Sequence, residues 1–185
     1  LINTKYKVLL IEQDSYLGGV LKNSNKVKTI NGLTPQEWIS ETKDLIFNSK
    51  NITILKNTLV TTYNFTNHLI ALEDKFAGKK IDLNKSELTL HKIRTSNTII
   101  ANGHIERFIS FRNNDLPGVM LASSFEKYIH RYGVVPEKEP IIFTNNSSSL
   151  SLLKKLISLG CKPKAYVDSR KKDNIETEIK NIIKD

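Results

Sequence analysis

Two short apolar segments, each followed by small or acidic residues, most constrain the fold of this chain. The first is Val8–Glu12, and the pair Gly18-Gly19 follows it after a short polar stretch. The second is Asn97–Ala101, and Gly103 follows it after one polar residue. Short and continuously apolar runs of this kind are typical of strands in a buried parallel sheet. We therefore predict an α/β fold in which both segments are strands.

The residues after the first predicted strand could form a nucleotide site. A carboxylate at the position of Glu12, the carboxyl end of a strand, can accept hydrogen bonds from both hydroxyls of an adenosine ribose. Gln13 and Asp14 follow on the same rim, and Gly18-Gly19 would let the backbone approach a ligand closely because glycine has no Cβ. The alternative is an acid that ends a strand beside a tight turn. The later Ala101–Gly103 block, in the expected order, favours the nucleotide site.

In their order these features resemble the Rossmann-like FAD/NAD(P)-binding fold of two-dinucleotide-binding flavoproteins. Such a domain carries a G-x-G-x-x-G turn about 20 residues before its acid. Only eleven residues precede Glu12, so we expect an N-terminally truncated domain that lacks its first strand and its glycine-rich turn. Without that turn there is no backbone cradle for a pyrophosphate, and we expect the isolated fragment to bind no NAD.

The segment between the two landmarks predicts one helix and a small antiparallel sheet. Thr34 and Glu37 form a capping-box pattern with a proline at the first helical position, and apolar residues then follow at helical spacing. This predicts a helix over 35–48. Alternating patterns predict strand 52–56 and a β-meander at about 58–95, built from strands 59–65, 68–73 and 87–94.

The second half of the chain predicts another βαβ unit. After a loop at 108–118, apolar residues at helical spacing and Gly133 predict a helix over about 120–132. Alternating strand and helix patterns follow, at 141–144, 148–159, 165–168 and 175–183. We therefore predict a dinucleotide-binding domain over 1–135 and the start of a second βαβ unit over 136–185.

The second unit lacks the glycines that a nucleotide-binding turn needs. Its first strand is followed by Thr144–Ser149, a segment without glycine, so its backbone N–H groups cannot easily approach a pyrophosphate. We interpret Ser148 or Ser149 as a helix N-cap and Asp168 as a structural acid. One dinucleotide site is predicted, not two.

Composition excludes several other classes of function. The net charge is +9, but the lysines are scattered without interleaved aromatic residues, which argues against nucleic-acid binding. No apolar run is long enough to cross a membrane. The single cysteine, Cys161, fits a reducing, cytoplasmic location. No metal-ligand spacing and no catalytic residues stand out, and Glu106-Arg107 is interpreted as a local ion pair rather than a phosphate contact.

Three blocks in the second half carry a closer resemblance. They are Ile105–Ser124, Tyr128–Val134 and Ile142–Asn146, and the Asn113–Ala122 part is the most specific. They resemble the alpha subunit of heterotetrameric sarcosine oxidase, and the likeness extends over nearly the whole chain. Opine oxidases, hydrogen cyanide synthase and two-subunit proline dehydrogenases share the scaffold, so they remain alternatives, as does a stand-alone pyridine nucleotide-disulfide-type reductase.

The resemblance implies an oxidoreductase subunit that takes part in the oxidative demethylation of sarcosine. Oxygen is reduced to hydrogen peroxide, and the one-carbon unit leaves as formaldehyde or methylenetetrahydrofolate. It implies NAD in this subunit, FAD and FMN elsewhere in a complex with beta, gamma and delta subunits, and tetrahydrofolate handled outside this segment. By position, the implied cofactor contacts are Glu12, Gln13, Asp14, Gly18, Gly19, Val20, Val60, Ala101 and Gly103.

Overall fold

The computed structural model describes residues 1–22, 27, 29–76, 88–137 and 139–183. They divide into two compact units, of which the first comprises residues 1–19 and 29–103 and the second residues 20–28 and 104–185. The sequence predicted a division between residues 135 and 136. The compact units divide earlier, because Ile129 of the helix before that point shares a hydrophobic core with Ile142 and Leu152.

The first unit begins with a parallel pair of strands joined by a helix. Strand β1 (Val8–Ile11) lies beside β2 (Ile52–Leu55), with Val8 opposite Ile52. Helix α1 (Pro35–Phe47) connects them. This is the crossover connection that parallel strands require, and all three elements agree with the sequence prediction.

The capping box at the start of α1 forms as predicted. The Glu37 N–H donates to Thr34 Oγ1 at 3.3 Å, and the Thr34 N–H donates to Glu37 Oε2 at 2.9 Å. The hydrogen bonds that the Thr34 N–H and the Thr34 hydroxyl donate to the Glu37 carboxylate hold the pKa of this carboxyl below its usual value. Pro35 occupies the first turn, and Ile39 buries its side chain one turn later. The helix therefore begins where the sequence places it.

The predicted β-meander is present as a three-stranded antiparallel sheet in the order β3, β4, β5. Its strands are β3 (Thr58–Asn64), β4 (His68–Asp74) and β5 (Leu88–Arg94). The predicted start of the last strand, Glu87, lies outside the described residues. A register shift between Val60 and Thr62 marks a β-bulge in β3.

The two faces of the meander differ sharply in burial. On the inner face, Leu69 and Ala71 of β4 are buried. On the outer face, Leu59 of β3 and Leu90 of β5 are exposed. Successive residues of a strand point to opposite faces, and register places Leu59 opposite Leu72 and Leu72 opposite Leu90.

The predicted strand at 97–101 is wrong. Residues 97–101 have no strand geometry, and Ile99 and Ile100 are largely exposed. A β-strand is held by hydrogen bonds to a neighbour, and no strand among the described residues pairs with this segment. The β-branched residues of this segment therefore predicted a strand, but the segment has no neighbouring strand to pair with in the described part of the chain.

The second unit is a βαβ arrangement preceded by a helix. Helix α2 (Ala122–Tyr132) ends at Gly133, whose φ of 65° is the left-handed conformation expected of a helix C-terminus. Strands β6 (Ile141–Thr144) and β7 (Ala165–Asp168) pair in parallel around helix α3 (Leu150–Ser158).

Two details of this unit differ from the prediction. A 3₁₀ turn over Ser147–Ser149 precedes α3, and the last helix, α4 (Thr177–Ile182), is shorter than predicted at both ends. The core forms where α2, β6 and α3 meet, and its buried members are Ile129, Ile142, Leu152, Leu153 and Leu156. Within the described residues, no helix has both the length and the apolar character to span a bilayer.

Candidate functional site

Glu12 directly follows β1 and is held there through its main chain. Its N–H donates to the Leu55 carbonyl at 2.8 Å, and its carbonyl accepts from the Thr58 N–H at 2.9 Å. One carboxylate oxygen, Oε1, accepts from the Asp14 N–H at 3.0 Å. An ionised carboxylate has about four acceptor positions. The half-buried Glu12 side chain therefore keeps acceptor capacity for the hydroxyls of a ribose.

The residues after Glu12 are connected to the start of β3. The Asp14 carbonyl accepts from the Asn57 N–H at 3.1 Å, one residue before β3 begins. Gln13 is exposed and Asp14 is half-buried. Val60, one of the cofactor contacts that the resemblance implies, lies on β3 two residues after Thr58 and is partly exposed. The structure thus brings the rim of β1 next to the strand that carries Val60.

The glycine pair adopts backbone conformations that favour glycine. Gly18 has a φ of 120° and Gly19 a φ of 47°. A Cβ at Gly19 would meet no other atom within 4 Å, so the constraint here is backbone conformation and not space. Val20 lies in a 3₁₀ turn over Gly19–Lys22, belongs to the second unit and is exposed.

Ala101 and Gly103 are placed differently from the other predicted site residues. Both are exposed, and Gly103 has a φ of 68° with open space around a hypothetical Cβ. Among the hydrogen bonds of the described residues, none connects this segment to Glu12. The structure therefore gathers Glu12, Gln13 and Asp14 beside β3 and leaves Ala101 and Gly103 in an exposed stretch.

The turn after β6 uses its backbone N–H groups internally. The Asn146 side chain accepts from the Ser148 N–H at 2.9 Å, and Thr144 Oγ1 accepts from the Asn146 N–H at 3.2 Å. The N-cap role predicted for Ser148 or Ser149 is therefore performed by Asn146 one turn earlier. Ser149 instead pairs its hydroxyl with that of Tyr166 at 2.7 Å.

A charged network lies at the carboxyl ends of β6 and β7 in the second unit. The Asp168 carboxylate accepts from Arg170 Nη2 at 2.7 Å and from Arg170 Nε at 3.0 Å. The Asp168 side chain is only 3% exposed and that of Arg170 is 20% exposed. Arg170 also donates to Ser147 Oγ and to Glu176. These contacts agree with the structural role predicted for Asp168.

The pKa directions in this network follow from its hydrogen bonds. Hydrogen bonds from the Arg170 guanidinium hold the pKa of Asp168 below its usual range. The pKa of Glu176 is also lowered, chiefly by the hydrogen bond from the Ser147 hydroxyl and also by Arg170. Burial raises the pKa of Tyr166. The network therefore favours both carboxylates in their ionised form.

Glu106 differs from the ion-pair interpretation. Its carboxylate accepts from the Ser123 N–H at 2.8 Å, and Ser123 lies in the first turn of α2. A carboxylate at this position satisfies a free N–H and suits the positive end of the helix dipole. Glu106 therefore caps α2, a role for which its distance from Ser123 in the chain gave no local signal.

A second polar pair lies on the inner face of the meander, where the sequence gave no indication of it. His91 Nε2 lies 2.9 Å from Glu73 Oε2, and both side chains are half-buried. The described residues contain no cluster of three or more His, Cys, Asp or Glu side chains that could hold a metal ion. Cys161 is a free thiol in the second unit.

The sequence of this chain is similar to that of one group of enzyme subunits. The chain is 32% identical over 167 residues to the sarcosine oxidase alpha subunit of Rhizobium meliloti, which covers 89% of this chain. It is 28% and 29% identical over 160 residues to the alpha subunits of Corynebacterium strains U-96 and P-1. The predicted resemblance to sarcosine oxidase alpha subunits is confirmed. The chain spans about 16% of the length of these relatives.

A solved structure supports the fold over the same extent. L-proline dehydrogenase from P. horikoshii superposes with a TM-score of 0.61 at 19% identity, covering 88% of this chain and 30% of that one. At this identity the likeness shows the α/β fold alone. No family model matches the chain.

Proposed function

We propose that this chain is the NAD-binding part of a sarcosine oxidase alpha subunit. The observation that carries the proposal is the placement of Glu12 at the carboxyl end of β1, with its main chain fixed to β2 and β3 and its carboxylate half-exposed. A carboxylate at such a position suits the two hydroxyls of an adenosine ribose. The likeness to sarcosine oxidase alpha subunits supports this choice over other nucleotide proteins.

The residues fit the adenosine half of the cofactor. Glu12 supplies acceptors, the exposed Gln13 lies on the same rim, and β3 carries Val60 alongside. Gly19 leaves open space near the backbone. In our proposal these residues bind and orient the dinucleotide, and Ala101 and Gly103 are further contacts.

The overall reaction that we propose is the oxidative demethylation of sarcosine to glycine and hydrogen peroxide. The one-carbon unit leaves as formaldehyde or as methylenetetrahydrofolate. FAD and FMN carry the redox chemistry in a complex with beta, gamma and delta subunits. In our proposal this chain contributes cofactor binding to that reaction.

Two alternatives remain: another amine-oxidising complex that binds FAD at Glu12, and a stand-alone reductase with two nucleotide sites. NAD and FAD share the ADP half, and Glu12 contacts only that half, so an opine oxidase, hydrogen cyanide synthase or proline dehydrogenase type of complex would use the same residues. A stand-alone reductase would need a second nucleotide turn. Asn146 already occupies the Ser148 N–H in that turn, which disfavours the reductase.

The proposal is tested by identifying the nucleotides in the native assembly. We would purify the full-length subunit with its partner subunits, denature the complex and identify the released nucleotides by mass spectrometry. NAD in stoichiometric amount beside FAD and FMN is the expected result. FAD without NAD in this subunit would favour the proline dehydrogenase or opine oxidase alternatives.

A substitution tests the role of Glu12 within that assembly. Glu12→Ala removes the charge-assisted hydrogen bonds to the ribose, and the net loss of even one such bond, worth about 1.5–3 kcal/mol, should lower NAD affinity by roughly tenfold to a hundredfold. Glu41→Ala, an exposed acid on α1, is the matched control and should retain NAD. Equal NAD content in the two variants would contradict the assignment of Glu12.

A further inference from the structure

The outer face of the meander carries an apolar row that runs across all three strands. Leu59, Leu72 and Leu90 stand side by side on β3, β4 and β5. Leu59 is 51% exposed and Leu90 is 58% exposed. Scattered single apolar residues on a surface are ordinary, but a contiguous row marks a surface that contacts something else.

Basic side chains lie beside this row on the same face. Lys92 and Arg94 follow Leu90 at alternate positions of β5, and His68 lies opposite Arg94. All three are exposed. A concave region of about 280 Å³ lies over this end of the face, with Thr62 and Ile70 among the residues that line it. The face therefore combines an apolar strip with a positively charged shallow depression.

We propose that this outer face is a docking surface for a partner protein whose contacting region places aspartate or glutamate carboxylates beside apolar side chains. The face consists of the leucine row (Leu59, Leu72, Leu90) and the basic group (His68, Lys92, Arg94). The apolar side chains of the partner would cover the leucine row, and its carboxylates would pair with the basic group. Such complementarity governs specificity and association rate at interfaces.

Charge disfavours a second copy of this chain as the occupant. The chain has a net charge of +9, and two copies packed through this face would bring their Lys92 and Arg94 side chains into one interface. Like charges in an interface cost several kcal/mol. Nucleic acid is disfavoured too, since the row is leucine and offers no aromatic ring on which a base could stack.

An anionic membrane is the other surface that could take apolar and basic groups together. Membrane contact at an interface favours apolar groups that protrude into the headgroup region. The leucine row lies on the face of the sheet, whereas Phe65, which is almost fully exposed, lies in the turn between β3 and β4. A flat row flanked by charge fits another protein surface better.

The proposal rests on the proposed function only for the choice of assembly in which to test it. The full-length subunit would be coexpressed with its partner subunits, with p-benzoylphenylalanine replacing Leu90 in one preparation and Lys50 in another. Lys50 is exposed and lies outside the face. After irradiation, crosslinked peptides would be identified by mass spectrometry. We expect position 90 to crosslink to a partner peptide that contains Asp or Glu near apolar residues, and position 50 to give no such product.

Other crosslinks would overturn the proposal. A product within the same chain, a product between two copies, or no product at position 90 would each show that the occupant is not an acidic partner. Retention on vesicles of phosphatidylcholine and phosphatidylserine, lost with Leu90→Asp, would identify a membrane instead. Amine-dependent peroxide formation by the same preparation tests the proposed function separately, so each failure is recognised by its own measurement.

Charge-reversal substitutions test the docking surface quantitatively. Lys92→Glu should weaken association of the full-length subunit with its partners by about tenfold at low salt, and the difference should shrink as salt screens the charges. Lys50→Glu makes the same charge change off the face and should leave association unchanged. Equal effects of Lys92→Glu and Lys50→Glu would overturn the assignment, because the effect would then reflect net charge and not this surface.

Discussion

The ion pair between Asp168 and Arg170 should stabilise the carboxyl edge of the second unit measurably. Asp168→Asn keeps the size of the side chain and removes its charge. The buried carboxylate accepts two close hydrogen bonds from the Arg170 side chain and one from the Arg170 N–H. Hydrogen bonds to charged groups contribute about 1.5–3 kcal/mol.

We expect a loss near the lower part of that range, because the Arg170 guanidinium keeps Ser147 and Glu176 as partners and is itself partly exposed. A loss of about 2 kcal/mol corresponds to a roughly thirtyfold increase in local opening. Hydrogen exchange of the full-length protein, followed by mass spectrometry over peptides from β6 to α4, measures this opening directly.

The pH dependence supplies the stringent part of the test. The pKa of Asp168 is lowered in the folded protein, so the unfolded state binds more protons at acidic pH. The stabilisation is therefore present above about pH 4, the ordinary range of an aspartate, and is lost as pH falls through the lowered pKa. The difference between the native protein and Asp168→Asn should be full at pH 7 and should shrink toward pH 3.

The matched control is Asp173→Asn, which removes an exposed carboxylate close by in the chain. It should leave exchange nearly unchanged, since exposed charges contribute little. The reasoning is refuted if Asp168→Asn and Asp173→Asn behave alike. It is equally refuted if the effect of Asp168→Asn has the same size at pH 3 and pH 7.

Three further substitutions test elements that stabilise each unit by itself. Thr34→Ala removes the N-cap of α1 and should cost about 1 kcal/mol, seen as faster exchange in α1 alone. Leu156→Ala empties a fully buried core position and should cost about 2–5 kcal/mol in urea unfolding, whereas Ile157→Ala on the exposed side should cost far less. Gly133→Ala strains the left-handed end of α2. It should destabilise the protein by about 1–2 kcal/mol and so lower the thermal midpoint; an unchanged midpoint would contradict that assignment.

Local signals predicted the regular elements well. The capping box placed the start of α1, alternation of apolar residues found the meander, and short apolar runs separated by helical patterns found both βαβ pairs. These signals succeed because each depends on residues that are neighbours in the chain. The carboxyl end of β1 was found the same way, since Glu12 directly follows an apolar run.

Features that depend on distant partners were missed or wrong. The segment 97–101 has strand-forming residues but no neighbour to pair with among the described strands. Glu106 was assigned to the adjacent Arg107 although it caps a helix that starts 16 residues later. The Asp168–Arg170 pair had a usable signal, because an acid and an arginine two residues apart at a strand end can share hydrogen bonds, yet only the structure shows the pairing and its burial.

The cap formed by Asn146 constrains how the second unit could change in evolution. A glycine at this position would free the Ser148 N–H for a phosphate, but it would also remove the side chain that satisfies that donor in the absence of ligand. Asn146→Gly therefore lowers the stability of this turn unless a ligand that binds the freed N–H compensates. The side chain that stabilises the turn without ligand is thus the same one that keeps the Ser148 N–H from a phosphate.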